Sequence, residues 1–289
     1  MERFSIHIDQ QLTLKLLCAL CLLAGLVAQA PPVAAQPSFQ TFLVSSDIEA
    51  RVPAPNTPGF FQGRDRDVFS LQPVGTGTTD LISVLVNRAG VDLDSLHDGP
   101  ATGPLYSIDT AIELFSSLAR PGDVFSVTGG ALNLLFDARA AGVPDGVDLD
   151  AVSYNLEEDE LIVSFDRFFL DPNLGFIAPG DLITVVDGDL SSLLFDGPAV
   201  LPDGVNVDGA HWIDNQYLLL SFDIDTLVPG PVGQTFISDD DIALYDRSAE
   251  TFTSLLDLST VNASWDGADI DALAAILLTD QIFSDRFQE

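Results

Sequence analysis

The chain has 289 residues and carries 44 acidic against 11 basic side chains, which gives a formal net charge of −33 at pH 7. A field of this sign repels nucleic acid and anionic membrane surfaces, so nucleic acid is not expected as a partner. Aspartate far outnumbers glutamate, a bias that is typical of turns, caps and cation sites. Adaptation to high salt explains the acidity equally well.

Residues 1–35 are predicted to be a signal peptide. The apolar run 16–28 is shorter than the roughly 20 residues of a membrane-spanning helix, but it suits a signal-peptide core. Small residues at 33–35 place the cleavage before Gln36, and an uncleaved anchor is the alternative. Cleavage removes both cysteines, which excludes disulfides from the mature chain. We therefore expect a secreted bacterial protein, extracellular or at the cell surface, with no stable membrane insertion after cleavage.

Three patterns recur along the rest of the chain with a period of roughly 57 residues. An apolar lead followed by Ser-x-Asp occurs at 43–47, 105–109, 162–166 and 219–223. A second apolar segment with an acidic start occurs at 67–71, 123–127, 181–185 and 241–245. A Gly-rich acidic turn with its following strand occurs at 90–97, 146–153, 204–211 and 267–274. Because the three series share one period, we infer a repeat protein.

Each repeat contains four short apolar runs bounded by Gly, Pro and Asp, a pattern that predicts β-strands. In the second repeat these runs lie at 124–127, 132–137, 151–154 and 161–166. Four strands form one blade of a β-propeller, and units that cannot bury their faces alone must stack. The sequence therefore predicts an all-β fold, namely a β-propeller of four four-stranded blades. An open stack of β-repeats and a sandwich are the alternatives.

The predicted domain spans 36–281, with repeats at roughly 48–109, 110–166, 167–223 and 224–280, and a tail at 282–289. An extra strand at 41–47 precedes the first repeat, whereas the last repeat lacks a clear fourth strand. We therefore expect the N-terminal strand to close the last blade.

The acidic turn of each repeat is the candidate metal site. Carboxylates two residues apart on an extended chain point the same way, and Gly permits a tight bend that adds a third oxygen. Ca²⁺ prefers such oxygen ligands, so Ca²⁺ is the expected cofactor. Alternatively, these side chains only cap turns and accept backbone hydrogen bonds. The candidate ligands are Asp92, Asp94, Asp145, Asp148, Asp150, Asp203, Asn206, Asp208, Asp266, Asp269 and Asp271.

The segments LLLSFD (218–223) and SDDDIALYD (238–246), together with the Gly-x-Asp-x-Asp-Ala turn, resemble repeats of exported bacterial β-propeller-like proteins of unassigned function. The tail IFSDRFQE is similar to the I-F-x-D-G-F-E ending of secreted proteobacterial proteins, with Arg286 and Gln288 in place of Gly and Glu. This resemblance implies export and repetition but no activity.

We expect a non-catalytic extracellular repeat module, stabilised by Ca²⁺, that serves a surface or matrix interaction with an extracellular protein or glycan. Four equivalent copies of Ser-x-Asp do not make the single asymmetric constellation that catalysis needs. A hydrolase or lyase acting on an extracellular polymer is one alternative, and its distinct blade would be the one with His211 and Trp212. A structural protein with a salt-adapted acidic surface is the other.

Overall fold

The computed structural model describes residues 37–46, 51–53, 60–62, 68–71, 79–82, 93–97, 103–114, 116–128, 131–261, 265 and 268–277. The expected signal peptide, the C-terminal tail, Asp92 and Asp266 lie outside these residues. The chain divides into two units, Met1–Pro37 and Ser38–Glu289, and every strand belongs to the second. Within the described residues, no helix is both long enough and apolar enough to cross a membrane.

The described residues form mainly β-strands, which confirms the predicted all-β class. Two four-residue helices, Gly197–Val200 and Leu258–Val261, follow long strands. The strands are β1 Phe39–Ser45, β2 Arg51–Pro53, β3 Phe60–Gln62, β4 Val68–Leu71, β5 Thr79–Ile82, β6 Ser95–His97, β7 Leu105–Ser107, β8 Ile112–Leu114, β9 Ser117–Ala119, β10 Val124–Thr128, β11 Ala131–Phe136, β12 Leu149–Asn155, β13 Glu160–Phe165, β14 Phe169–Asp171, β15 Gly175–Ile177, β16 Leu182–Val186, β17 Asp189–Phe195, β18 Val207–Trp212, β19 Tyr217–Phe222, β20 Thr226–Gly230, β21 Gly233–Ile237, β22 Asp241–Asp246, β23 Thr251–Asp257 and β24 Ala272–Leu277.

The described strands form four antiparallel four-stranded sheets. In hydrogen-bonded order they are sheet 1 (β6-β7-β10-β11), sheet 2 (β12-β13-β16-β17), sheet 3 (β18-β19-β22-β23) and sheet 4 (β24-β1-β4-β5). The remaining strands form hairpins β2–β3, β8–β9, β14–β15 and β20–β21. Each hairpin is inserted between the second and third strands of a sheet, a feature that the sequence pattern did not predict.

The strands of the second repeat lie within two or three residues of their predicted positions, but the structure groups them differently. The pair β10–β11 belongs to sheet 1, whereas β12–β13 begins sheet 2. The grouping of these four strands into one blade was therefore wrong. The period of the sequence pattern gives the length of a repeat, but it does not show at which residue one sheet ends and the next begins. Here each sheet continues beyond an inserted hairpin, so that its third and fourth strands come from the following stretch of the chain.

Sheet 4 combines the two ends of the described chain. Strand β1 pairs with β24 on one side, with Val44 opposite Leu273 and Phe42 opposite Ala275. On its other side, β1 pairs with β4, where Phe42 lies opposite Leu71. The N-terminal strand thus occupies the position that the last repeat leaves without a strand.

The apolar core lies between neighbouring sheets. Four clusters of buried side chains join sheet 1 to sheet 2, sheet 2 to sheet 3, sheet 3 to sheet 4, and sheet 4 to sheet 1. Examples are Phe136 with Phe165 between sheets 1 and 2, and Phe42 with Leu219 between sheets 4 and 3. Burial of each such side chain contributes about 1.5–3 kcal/mol to the free energy of unfolding.

The first strands of the four sheets also contact one another in cyclic order: β6 with β12, β12 with β18, β18 with β24, and β24 with β6. Gly209 of β18 lies at one of these contacts. A Cβ atom there would overlap Ser221 Oγ and lie 2.8 Å from Leu273 Cβ of the next sheet. The absence of a side chain at this position lets the strands approach each other.

Candidate cation site

The acidic turns lie at one end of the sheets. In each sheet the first strand begins directly after the turn and starts beside the end of the second strand, as Leu149 opposite Phe165 and Val207 opposite Phe222 illustrate. The inserted hairpins leave the sheets at this same end, because each follows a second strand.

Four aspartates from four sheets line one cavity of about 130 Å³ at this end. We call it the acidic pocket, and its lining residues are Asp94, Asp150, Asp208 and Asp271. Each is the last aspartate of its turn. Sequence analysis assigned the ligands turn by turn, whereas the structure brings together one carboxylate from every turn.

The outermost aspartates of the turns do not line the acidic pocket. The Asp145 carboxylate is exposed, and its Oδ1 lies 2.6 Å from Arg139 Nη2 in a surface ion pair. Asp203 is likewise exposed. These two predicted ligands are therefore far less enclosed than the last aspartates.

The middle residues of the turns are held by the aspartates of the Ser-x-Asp motif. The Asp148 backbone N–H donates to Asp166 Oδ1 over 2.8 Å, and the Asn206 N–H donates to Asp223 Oδ1 over the same distance. The serine two residues before each acceptor bonds to the next sheet: for example, Ser164 Oγ donates to the Val207 carbonyl over 2.8 Å. In sheets 2 and 3 the motif thus fixes the turn and bonds to the next sheet.

The electrostatics of the acidic pocket differ from one lining residue to the next. Burial raises the pKa of Asp150 to about 7, although a hydrogen bond from the Asn206 amide to its Oδ2, 2.5 Å long, acts in the opposite direction. Burial also raises the pKa of Asp208 well above its ordinary value, and the charge of Asp269 raises it further. Asp269 occupies in its turn the position of Asn206, but an ionised carboxylate cannot donate a hydrogen bond. Burial and the repulsion among neighbouring carboxylates therefore oppose full ionisation of the acidic pocket.

A second layer of side chains, three of them polar, lies three residues after the last aspartates. Strands β12 and β18 each contain a bulge, between Leu149 and Val152 and between Val207 and Gly209. A bulge interrupts the alternation of side chains between the two faces of a strand, so that residues three apart can lie on the same face. The residues at these positions are His97, Ser153, His211 and Ala274.

The two histidines of this layer stack on each other, with ring centroids 5.1 Å apart. Burial lowers the pKa of His211 to about 4 and that of His97 well below its usual range, where the charge of His211 adds to the effect. Ser153 Oγ lies 3.4 Å from His97 Nδ1 and accepts a 2.7 Å hydrogen bond from the Trp212 backbone. The sequence patterns did not predict this contact. The feature that could have indicated it is the occurrence of histidine at the same position of the first and third repeats.

Comparison with protein-family models and with the sequences of curated proteins found no match. Among solved structures, the chain is similar to YCF48 bound to D1 peptide, with 10% identity, a TM-score of 0.29, and coverage of 79% of this chain and 74% of that one. A protein of unknown function from Bacteroides caccae has 9% identity, a TM-score of 0.35, and coverage of 83% and 99%. The β-propeller domain of Myceliophteria thermophila Cps50 (Swd1) has 8% identity, a TM-score of 0.32, and coverage of 77% and 87%. These likenesses are distant.

Proposed function

We propose that the four large sheets are the blades of a four-bladed β-propeller and that the pairing of β1 with β24 closes the ring. Two observations support this proposal: the cyclic contacts of the first strands, and a buried cluster between each pair of neighbouring sheets. An open stack would leave one apolar face of its first and last sheets without a neighbour.

We further propose that the protein is a secreted, non-catalytic binding module that holds Ca²⁺ in the acidic pocket. The observation that carries this proposal is the convergence of four carboxylates, one from each sheet, on one cavity of about 130 Å³. Ca²⁺ binds six to eight oxygens in flexible geometry. The cavity has room for the ion and a few water molecules, each of which occupies about 30 Å³ in the liquid. Within the described residues, no three of these carboxylates offer oxygens within 4.8 Å of one another, so the ion would bind some of them directly and the others through water molecules. In that way it would connect all four sheets.

The inserted hairpins are the surface that we assign to a surface or matrix interaction with an extracellular protein or glycan. They leave the sheets at the end that carries the acidic pocket. Their exposed side chains include apolar ones: Leu170 is 73% exposed and Val232 is 94% exposed, and Phe176 and Phe236 are more than half exposed. Exposed apolar patches are typical of interaction sites.

The test of Ca²⁺ binding is a thermal melt of the chelator-treated protein at pH 8 with Ca²⁺ and with NaCl of matched ionic strength. Ca²⁺ at 100 times its dissociation constant should stabilise the fold by about 2.7 kcal/mol, a shift of about 5 °C for a domain of this size. Asp208→Asn should remove most of this shift. Without Ca²⁺ the variant should melt no lower than the parent, because it lacks one repelling charge.

Asp203→Asn is the matched control, since this exposed aspartate belongs to the same turn but does not line the acidic pocket. It should retain the full Ca²⁺ shift. Equal stabilisation by NaCl alone would mean that the acidity reflects salt adaptation, and the Ca²⁺ proposal would then fail.

A further inference from the structure

Sheets 1, 2 and 3 each have an aspartate at the start of the third strand: Asp123, Asp181 and Asp241. In sheets 1 and 2 both oxygens of this carboxylate accept backbone hydrogen bonds. One donor lies three residues earlier, 2.8 Å away in the case of Ala178 and Asp181. The other donor is the second residue after the outer strand: Ala138 N donates to Asp123 over 3.4 Å, and Gly197 N donates to Asp181 over 2.9 Å.

Sheet 3 departs from this pattern. Asp241 Oδ2 accepts from the Ser238 backbone N–H over 3.2 Å and from Ser254 Oγ over 3.4 Å. The expected second amide, that of Leu258, donates instead to the Asp240 carbonyl over 3.3 Å. Asp241 Oδ1 is consequently buried and has no hydrogen-bond partner among the described residues.

The same place in sheet 3 contains an additional carboxylate. Asp240 stands where sheets 1 and 2 have Gly122 and Gly180. Its side chain is only 3% exposed, and its Oδ2 likewise has no hydrogen-bond partner within the described part of the chain. Two consecutive residues, Asp240 and Asp241, therefore each have one buried carboxylate oxygen without a donor among the described residues.

Asp257, the last residue of β23, completes the group. One oxygen each of Asp240, Asp241 and Asp257 lies within 4.8 Å of the others. Asp257 Oδ1 accepts hydrogen bonds from Ser259 Oγ over 2.6 Å and from the Thr260 N–H over 3.0 Å. Among the described residues, this is the one group of three such side chains whose ligand atoms are this close.

We propose that Asp240, Asp241 and Asp257, which we call the three-aspartate cluster, form a second site for a hard divalent cation such as Ca²⁺. Calcium–oxygen distances are about 2.3–2.6 Å, so ligands on opposite sides of one ion lie about 5 Å apart. One ion therefore reaches all three carboxylates. It would also compensate the two buried oxygens, which the backbone leaves without donors.

The electrostatics agree with this geometry. Burial, together with the charges of Asp257 and Asp240, raises the pKa of Asp241 to about 6. Burial also raises the pKa of Asp240, against the effect of hydrogen bonds from Ser238 and the Ser259 backbone. Among the described residues, no basic side chain contributes to either shift, so a cation can neutralise the negative charge of the cluster.

The test is the number of ⁴⁵Ca²⁺ ions that the purified, chelator-treated chain binds in equilibrium dialysis at pH 8. The parent should bind two ions. Asp240→Gly, which restores the residue of sheets 1 and 2, should bind one, and so should Asp257→Asn. Asp196→Asn is the matched control, because Asp196 directly precedes the four-residue helix of sheet 2 as Asp257 directly precedes that of sheet 3. It should still bind two.

The acidic-pocket variant Asp208→Asn separates this inference from the proposed function. It should lose one ion, and the double variant Asp208→Asn with Asp240→Gly should lose both. A parent that binds a single ion, lost in Asp208→Asn but retained in Asp240→Gly, would overturn the three-aspartate cluster and leave the acidic pocket standing. A parent that binds a single ion, lost in Asp240→Gly but retained in Asp208→Asn, would overturn the acidic pocket and leave the three-aspartate cluster standing. Equal loss in Asp196→Asn would also overturn the cluster, since it would show a nonspecific effect of charge.

Discussion

The acidic pocket and the three-aspartate cluster are built in opposite ways. The pocket takes one carboxylate from the same position of each of four sheets. The cluster takes three carboxylates from one sheet, at a place where sheets 1 and 2 have Gly and satisfied hydrogen bonds. Repetition thus creates one site through the symmetry of the repeats and the other through the departure of one repeat from that symmetry.

This difference has a consequence for stability. The pocket exists only when all four sheets have assembled, so an ion there stabilises the contacts between sheets. The cluster needs only β22, β23 and the residues beside them, so an ion there stabilises sheet 3. Variants that change one region and spare the other can therefore test the comparison.

The largest expected effect is the pH dependence of the acidic pocket without divalent cations. The folded-state pKa of Asp150 is about 7, above its ordinary value of 3.8, so the folded state binds more protons between these values. The free energy of unfolding should therefore fall as the pH rises from about 4 to 7, by about 4 kcal/mol at most. Urea unfolding at several pH values measures it. In Asp150→Asn the decrease should be smaller; an unchanged profile would contradict the assignment.

The histidine layer should act in the opposite direction. The folded-state pKa of His211 is about 4, below its ordinary value of 6.5, so the unfolded state binds more protons between these values. Stability should therefore be lost as the pH falls from about 6.5 to 4, by about 3 kcal/mol. His211→Gln should remove the part of this acid loss that His211 contributes and leave the part that comes from the buried His97, and the number of bound Ca²⁺ ions should not change. An acid loss as large as that of the parent would contradict the assignment.

Gly209→Ala should affect the acidic pocket but not the three-aspartate cluster. The added Cβ would overlap Ser221 Oγ and press on Leu273, so we expect a loss of about 2 kcal/mol. Because β18 and β24 would move apart, the acidic pocket should bind Ca²⁺ more weakly while the three-aspartate cluster keeps its affinity. Calorimetric titration measures both. Gly142→Ala is the control: it has open space but a φ of +87°, so it should cost about 1 kcal/mol and change neither affinity.

Arg139→Ala should have the smallest effect. It breaks the ion pair between Arg139 and Asp145, whose side chains are 64% and 79% exposed, and such exposed pairs contribute little to the free energy of unfolding because water and salt screen them. Ca²⁺ binding should not change, because Asp145 does not line the acidic pocket. A clear gain of Ca²⁺ affinity in this variant would instead indicate that Arg139 competes with an ion for Asp145, as a site within a single turn would require.

Several parts of the structure were predictable because they depend on neighbours in the chain. The apolar runs of the second repeat became β10 to β13 near their predicted positions, since alternation and turn residues are local signals. Because the last repeat lacks a fourth strand, we expected the segment around Phe42 to take that position. This segment is β1, and it pairs with β24.

Other parts depended on contacts that a period does not encode. The pairing of β13 with β16 across an inserted hairpin decided where each sheet ends. The three-aspartate cluster was visible only as Asp240 in place of Gly, and its meaning depends on the redirected amide of Leu258. A single unusual residue in a repeat does not show which donors it will lose.

By itself, the sequence determined that this chain is an acidic all-β repeat protein with one carboxylate-rich turn in each repeat. Only the tertiary structure decided which carboxylates meet. Asp150 and Asp208 are 58 positions apart in the chain, yet they line one cavity, whereas Asp145 and Asp150 of one turn separate into a surface ion pair and a buried group. The physical reason is that burial and mutual repulsion are set by the packing of neighbouring sheets, and the sequence of a single turn contains no information about its neighbours in space.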